Sequence, residues 1–133
     1  MNILSVRGVS RTFRSSQGET LALQATDLQV AENDFVTILG PSGCGKSTLL
    51  RIVAGLDRPT AGDVLLDGRR IEAPGADRGM VFQSYTLFPW LTVLDNVCFG
   101  LRERGLARDQ QLAIANGFVA KVGLIGFEHH FPK

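Results

Sequence analysis

Nine consecutive residues in the first half of the chain have the types and spacing of a phosphate-binding loop. They are Gly40, Pro41, Ser42, Gly43, Cys44, Gly45, Lys46, Ser47 and Thr48, and they fit the pattern G-x-x-x-x-G-K-[ST]. Glycines let the backbone turn tightly, so several N–H groups can point into one concavity that holds phosphate oxygens. The pattern therefore predicts a site for a nucleoside triphosphate.

Three side chains at the end of this run could contact the phosphates and a metal ion. A helix dipole contributes only about 0.3–2 kcal/mol to binding an anion, so a full charge is needed as well. We expect Lys46 to supply it at the β- and γ-phosphates, Ser47 to offer a hydroxyl to Mg²⁺, and Thr48 to lie near the α-phosphate. Cys44 is either a reactive thiol, since a helix N-terminus lowers the pKa of a cysteine, or a small residue that fills the loop.

Apolar patterns on both sides of the run predict the elements that position it. Residues 34–39 are apolar and β-branched, which favours a buried strand, and residues 49–54 favour a helix that ends near Gly55. Strand, glycine-rich loop and helix in this order form the context in which the motif binds phosphate. The alternative is a flexible glycine loop that contains a lysine by chance.

Other segments predict strands in the first part of the chain and helices in the last. Residues 3–14 predict a first strand, and residues 21–30 predict one or two strands antiparallel to it. The further predicted elements are a strand over 63–68 closed by an Asp-Gly hairpin turn, a short strand over 78–83, a helix from a Thr92–Asp95 capping box to Gly105, and a helix over 108–122 with Leu112, Ala115, Val119 and Val122 on one face.

The composition is that of an ordinary globular protein. The chain has 133 residues, is 44% hydrophobic and carries a formal net charge of +1, which gives no electrostatic case for binding nucleic acid or an anionic membrane. No run approaches the ~18 apolar residues of a membrane-spanning helix, and the first residues lack a signal peptide's apolar region. Two cysteines do not make a disulfide framework, so a reducing cytosol fits best.

Taken together, these motifs resemble the ATP-binding subunit of an ABC transporter. Residues 40–48 resemble the Walker A loop of that family, and residues 49–56 with 60–62 resemble the stretch that follows it. Residues 80–83 resemble the Q-loop, and Phe13 stands where the family places an aromatic residue that stacks on adenine. Residues 77–79 and 87–97 are most similar to the nitrate, sulfonate and taurine importer group.

The resemblance implies an α/β fold of the P-loop NTPase class, of the ABC ATPase type. It would have an N-terminal antiparallel β subdomain with the Walker A core over residues 1–90 and the start of a helical subdomain over residues 91–133. The chain lacks the family's Walker B Asp-Glu pair, its Leu-Ser-Gly-Gly signature, which would begin just beyond Lys133, and its switch histidine. His129 and His130 are expected to be solvated. The core sheet is therefore expected to be incomplete, with apolar residues of the 34–39 strand facing a missing neighbour.

The same resemblance assigns roles to individual residues. ATP would bind residues 40–48 and Phe13, Mg²⁺ would bind Ser47 and Gln83, and Lys46 and Gln83 would be the catalytic residues. Phe13 could instead be a core residue, and a glutamine after a strand is usually a surface residue. The segment Ser84–Trp90 would contact a transmembrane permease subunit, although Tyr85, Phe88 and Trp90 could equally pack locally.

The function that follows is an ATP-binding subunit that couples ATP hydrolysis to solute import. It would form a homodimer, act indirectly with a substrate-binding protein, and lie in the cytoplasm on the inner face of the membrane. We expect this chain alone to be poorly soluble or partly molten, with negligible hydrolysis. The alternatives are a truncated nucleotide-binding module without turnover, an ABC ATPase of DNA repair or translation, and a small-molecule phosphotransferase. The sequence does not identify the solute.

Overall fold

The computed structural model describes residues 2–132, so Met1 and Lys133 lie outside the described residues. Its elements are β1 (Asn2–Ser15), β2 (Gly18–Ala31), α1 (Lys46–Val53), β3 (Ala61–Leu66), β4 (Arg69–Arg70), α2 (Val93–Glu103) and α3 (Arg108–Lys121). The chain divides into two compact units, residues 1–80 and residues 81–133. The subdomain boundary predicted between residues 90 and 91 stays a prediction.

The first unit is built on an antiparallel sheet with the strand order β2-β1-β3-β4. Residues 2–31 form one long hairpin, so the region predicted to hold one or two strands after the first holds a single strand. One face of the sheet packs against α1. The buried side chains between them are Val6, Val9, Leu23, Leu49, Ile52 and Val64.

The Asp-Gly turn between β3 and β4 confirms the predicted hairpin. Asp67 has a φ of 49° and Gly68 a φ of 76°, which is the left-handed pair that a two-residue hairpin turn requires. Leu66 pairs with Arg69 directly across the turn. Local turn chemistry was therefore enough to place this element.

Two predicted strands are absent from the described residues. Residues 34–41 have no regular secondary structure, and neither have residues 80–83. Phe35 is 96% exposed, Leu39 is 86% exposed and Val81 is 98% exposed. A strand needs a partner for its backbone N–H and C=O groups, and no residue between 2 and 132 pairs with either segment. The strand predictions were wrong for these residues, and the expectation of an incomplete core sheet is confirmed.

The second unit is a pair of helices around a small core. Leu94, Cys98, Ala115 and Val119 are buried between α2 and α3. Thr92 caps α2, because its hydroxyl oxygen accepts a hydrogen bond from the Asp95 N–H at 3.1 Å and its hydroxyl donates to the Asp95 carboxylate at 2.9 Å. This confirms Thr92 as the N-cap, whereas the Asp95 carboxylate accepts from the Thr92 hydroxyl and not, as in a capping box, from the Thr92 backbone N–H.

The end of α3 differs from its prediction. The helix ends at Lys121, and Gly123 adopts a φ of 74° that turns the chain away. Val122, predicted on the buried face, is largely exposed for that reason. Among residues 2–132, no helix is both long enough and apolar enough to cross a bilayer.

The segment after α3 folds back on the beginning of α2. The backbone carbonyls of Glu128 and His130 accept hydrogen bonds from the N–H groups of Leu94 and Val93, at 3.0 and 2.8 Å. Two of the N–H groups that a helix N-terminus leaves free are satisfied in this way. The backbone N–H groups of Glu128 and Gly126 hold the pKa of the Glu128 carboxyl below its usual value.

Candidate functional site

The predicted phosphate-binding run leads directly into α1, whose first residue is Lys46. Gly43 has a φ of 80° and Gly45, at the N-cap, has a φ of 97°. L side chains rarely adopt such angles, which explains glycine at both positions. The loop and the helix predicted from the motif are both observed, whereas the strand before them is not.

Gly45 also lets the loop lie against β2. A Cβ atom at this position would lie 2.6 Å from the Ala22 carbonyl oxygen and 2.9 Å from Leu23 Cδ1. Both distances are shorter than any real carbon contact. The sheet of the first unit therefore fixes where the helix N-terminus lies, and only glycine fits between them.

The electrostatics at the N-terminus of α1 favour the binding of an anion. No side chain in the described part of the chain caps it, and its first turn contains no acidic residue. By contrast, α2 carries Asp95 and α3 carries Asp109 in the first turn. Backbone N–H groups and the positive end of the dipole at α1 are thus left for a ligand of negative charge.

Lys46 lies over the loop that it follows. Its Nζ donates hydrogen bonds to the carbonyl oxygens of Gly40 at 2.7 Å and Pro41 at 2.6 Å, and lies 3.5 Å from Cys44 Sγ. Ser47 is exposed and Thr48 is partly buried on the first turn of α1. The donor set of ammonium, two hydroxyls and helix N–H groups fits a polyphosphate and its Mg²⁺.

Phe13, the predicted base-stacking residue, lies at the far end of β1. It pairs with Thr20 of β2, is 43% exposed and does not belong to the hydrophobic core. The Arg11 guanidinium carbon lies 4.5 Å from the centre of its ring. A half-exposed aromatic ring on a strand end is suited to stacking, and the role in binding the base stays a prediction.

Gln83 and the segment Ser84–Trp90, the aromatic segment, belong to the second unit. Gln83 is exposed, and because Ser47 belongs to the first unit, a shared metal role for the two residues stays a prediction. Tyr85 and Trp90 are exposed. Phe88 instead packs locally, with its ring 5.4 Å from Trp90 and 4.6 Å from Phe99.

The residue that orders this aromatic segment, Asn96, was not predicted from the sequence. The Asn96 side chain accepts a hydrogen bond from the Phe88 N–H at 2.9 Å and donates to the carbonyls of Phe88, Leu91 and Thr92. An asparagine in the first turn of a helix gives no signal of such contacts. Arg11 was not predicted either, although its spacing of two residues from Phe13 places both on one face of a strand.

Comparisons with known proteins agree on one family. Residues 23–133 match the family described as "ABC transporter". The chain is 53% identical over 129 residues to an uncharacterized ABC transporter ATP-binding protein of Methanocaldococcus jannaschii, covering 97% of this chain and 48% of that protein. It is 45% identical to the nitrate import ATP-binding protein NrtD of a Synechocystis species (98% and 49% covered). It is 48% identical to the taurine import ATP-binding protein TauB of Burkholderia thailandensis (96% and 49% covered).

Solved structures show the same fold. The chain superimposes on a dimeric bacterial ABC transporter cassette, MJ0796, with a TM-score of 0.86 and 31% identity, covering 97% of this chain and 61% of that one. A dimer of the same cassette in a post-hydrolysis state, bound to ADP and Pi, gives a TM-score of 0.85. The chain spans about half the length of the curated relatives it matches.

Proposed function

Because this chain belongs to the ABC transporter family, we propose that it binds ATP at residues 40–48 as part of the ATP-driven motor of a solute importer. The observation that carries the proposal is the N-terminus of α1. No side chain among residues 2–132 caps it, its first turn has no acidic residue, and it begins with a lysine that reaches back over the loop. This combination favours a polyphosphate over any neutral ligand.

The backbone of the loop, three of its side chains and Phe13 have separate tasks in this proposal. Backbone N–H groups of residues 43–48 hold phosphate oxygens, and Lys46 exchanges its two carbonyl acceptors for the β- and γ-phosphates. Ser47 would hold Mg²⁺, which neutralises phosphate charge when bound. Thr48, one residue further along α1, would lie near the α-phosphate. Phe13 would carry the adenine.

Hydrolysis needs groups that orient water and stabilise the charge of the transferred phosphoryl group. Gln83 is the proposed water-orienting residue of this chain and would share Mg²⁺ with Ser47. Residues 2–132 contain neither an apolar run that ends in Asp-Glu nor a Leu-Ser-Gly-Gly sequence. We therefore place nucleotide binding in this chain and expect its own turnover to be negligible.

The importer assignment has support from the named relatives. One is a nitrate import protein and another a taurine import protein, and both are more than 40% identical to this chain. In an importer, Ser84–Trp90 would contact the permease, since exposed aromatic residues commonly anchor interfaces. A second ATP-binding subunit would complete a dimer, as in the cassette structures, on the cytoplasmic face of the membrane.

Binding and hydrolysis should be measured separately on the same preparation. Equilibrium dialysis with ATP, ADP and AMP in Mg²⁺ tests binding, and phosphate release tests turnover. We expect ATP and ADP to bind and AMP to bind much more weakly, because AMP lacks the phosphates that Lys46 contacts. Equal affinity for AMP and ATP would contradict the proposal. Binding without phosphate release would support a nucleotide-binding module that needs further groups for turnover.

A further inference from the structure

Arg11 and Phe13 form a stacked pair on one face of β1. The guanidinium carbon of Arg11 lies 4.5 Å from the ring centre, within the range of a cation–π interaction. Phe13 keeps 43% of its surface exposed despite this contact. One side of the ring is thus supported by the protein, and the remaining surface is open to a second planar group.

Arg11 is in turn held by Asp57, two residues beyond the turn that ends α1. Its Nη2 lies 2.9 Å from Asp57 Oδ1, and the two side chains are only 24% and 17% exposed. The next ion pair on the same hairpin, Arg14 with Glu19, is 81% and 60% exposed. Partly buried pairs with good geometry hold their groups in place, whereas exposed pairs contribute little.

Backbone contacts tie the same two segments together. The Thr60 N–H donates to the Ser10 carbonyl at 2.8 Å, and the Thr12 N–H donates to Thr60 Oγ1 at 2.9 Å. Residues 57–60 follow α1, whose first residue is Lys46. The strand end that carries Phe13 is therefore fixed to the helix that carries the phosphate-binding lysine.

We infer that Arg11 is a positioning residue for the base of the bound nucleotide. Held by Asp57, it keeps the Phe13 ring at a set place relative to the phosphate loop, so that a purine base can stack without first ordering the ring. This inference rests on the proposed function, because it concerns the same nucleotide. A positioning role for Arg11 differs from a purely structural role in one respect. It affects the part of the ATP affinity that depends on the base and leaves the part that depends on the phosphates unchanged.

The test compares ATP with inorganic tripolyphosphate, which has the phosphates and lacks the base. In Arg11→Met, we expect ATP to bind about two- to fivefold more weakly, the size of an exposed cation–π contact, and tripolyphosphate to bind as before. Asp57→Asn should shift the ATP affinity in the same direction. The matched control is Arg14→Met, which removes an arginine from an ion pair one residue beyond Phe13 and should change neither affinity.

Two further variants keep the test decisive if Arg11→Met fails to fold. Arg11→Lys keeps the charge for Asp57 but not the planar group that stacks, so ATP alone should weaken. In a Phe13→Ala background, Arg11→Lys should have no further effect on ATP. Equal loss of ATP and tripolyphosphate affinity, or no loss of either, would overturn the inference. If the unmodified chain bound neither ligand, the proposed function itself would fail.

Discussion

The Nζ of Lys46 donates a 2.7 Å hydrogen bond to the backbone carbonyl of Gly40, six residues earlier in the chain. Together with a hydrogen bond to the Pro41 carbonyl at 2.6 Å, this contact gives the ammonium group two backbone acceptors within the loop. A phosphate that enters the loop must replace these acceptors with its own oxygens. In the proposed complex, the lysine would exchange these two neutral carbonyl acceptors for phosphate oxygens.

The close approach of Gly45 to β2 predicts a large effect of Gly45→Ala. The residue has a φ of 97°, and its Cβ would lie 2.6 Å from the Ala22 carbonyl oxygen. We expect a loss of about 1–3 kcal/mol in the free energy of unfolding, together with weaker ATP binding. Urea denaturation followed by circular dichroism measures the first quantity.

The control for that variant is Gly117→Ala. Gly117 lies in α3 without a positive φ and with open space around its Cβ position. Alanine there should raise the stability by up to about 1 kcal/mol through helix propensity. Equal effects of the two substitutions would show that the loop does not hold Gly45 as described.

Asp95 should make the stability of the second unit depend on pH. Hydrogen bonds from the Thr92 hydroxyl and the Arg108 guanidinium hold the pKa of this carboxyl below its usual value. A lowered folded-state pKa stabilises the protein above the unfolded pKa of about 3.9 and loses that effect as the pH falls through the folded pKa.

Asp95→Asn should therefore destabilise the helices at pH 7 by no more than about 1 kcal/mol, since solvent screens this partly exposed group. The difference between the variant and the original chain should shrink as the pH falls from 4 towards 2. Helix content from circular dichroism at each pH checks this. A difference that grows on acidification would be inconsistent with the lowered pKa.

The unpaired apolar segments predict self-association of this chain. Phe35 and Val81 are almost fully exposed on segments that β-branched and aromatic residues suit to strands. Unpaired apolar edges promote aggregation, so Phe35→Lys and Val81→Lys should each lower light scattering and the binding of an apolar dye. Tyr85→Lys, an equally exposed position outside these segments, should have less effect.

Asn96 is expected to order the aromatic segment through its contacts with Phe88 and Leu91. Asn96→Ala removes the side-chain partner of the partly buried Phe88 N–H and Leu91 carbonyl, at a cost of about 1 kcal/mol, and should free the segment. Trp90 is the single tryptophan of the chain, so its fluorescence anisotropy should fall. Asn116→Ala, at an exposed position of α3, should leave the anisotropy unchanged.

Much of this fold follows from local signals in the sequence. Thr92 with Asp95, Asp67 with Gly68, and the glycines of the phosphate loop each specify a cap, a turn or a left-handed residue by chemistry within a few positions. The strand predicted over 34–39 did not follow from local signals, because a strand forms only when another segment supplies its hydrogen-bond partners. Apolar, β-branched residues could show that the segment is suited to a sheet, but not that residues 2–132 contain no partner for it.

Within the site, the phosphate-binding loop was predicted from the sequence, whereas the contacts that hold the end of β1 in place were not. Lys46 and the glycines fit a known spacing, whereas the link from Arg11 to Asp57 joins residues 46 positions apart, and only the folded chain brings them together. The hydrogen bond from the Thr12 N–H to Thr60 Oγ1 likewise joins residues that are far apart in the sequence.

The most direct test of the account is the affinity of ATP for the Lys46→Ala chain, with Lys121→Ala as the control. Lys121 also carries a charge on a helix, but it lies at the end of α3 beside Phe118. If the loop and its lysine bind the phosphates, Lys46→Ala should weaken ATP binding at least about tenfold, the loss expected from one charge-assisted contact, while Lys121→Ala leaves it unchanged. Unchanged affinity in Lys46→Ala would contradict the account.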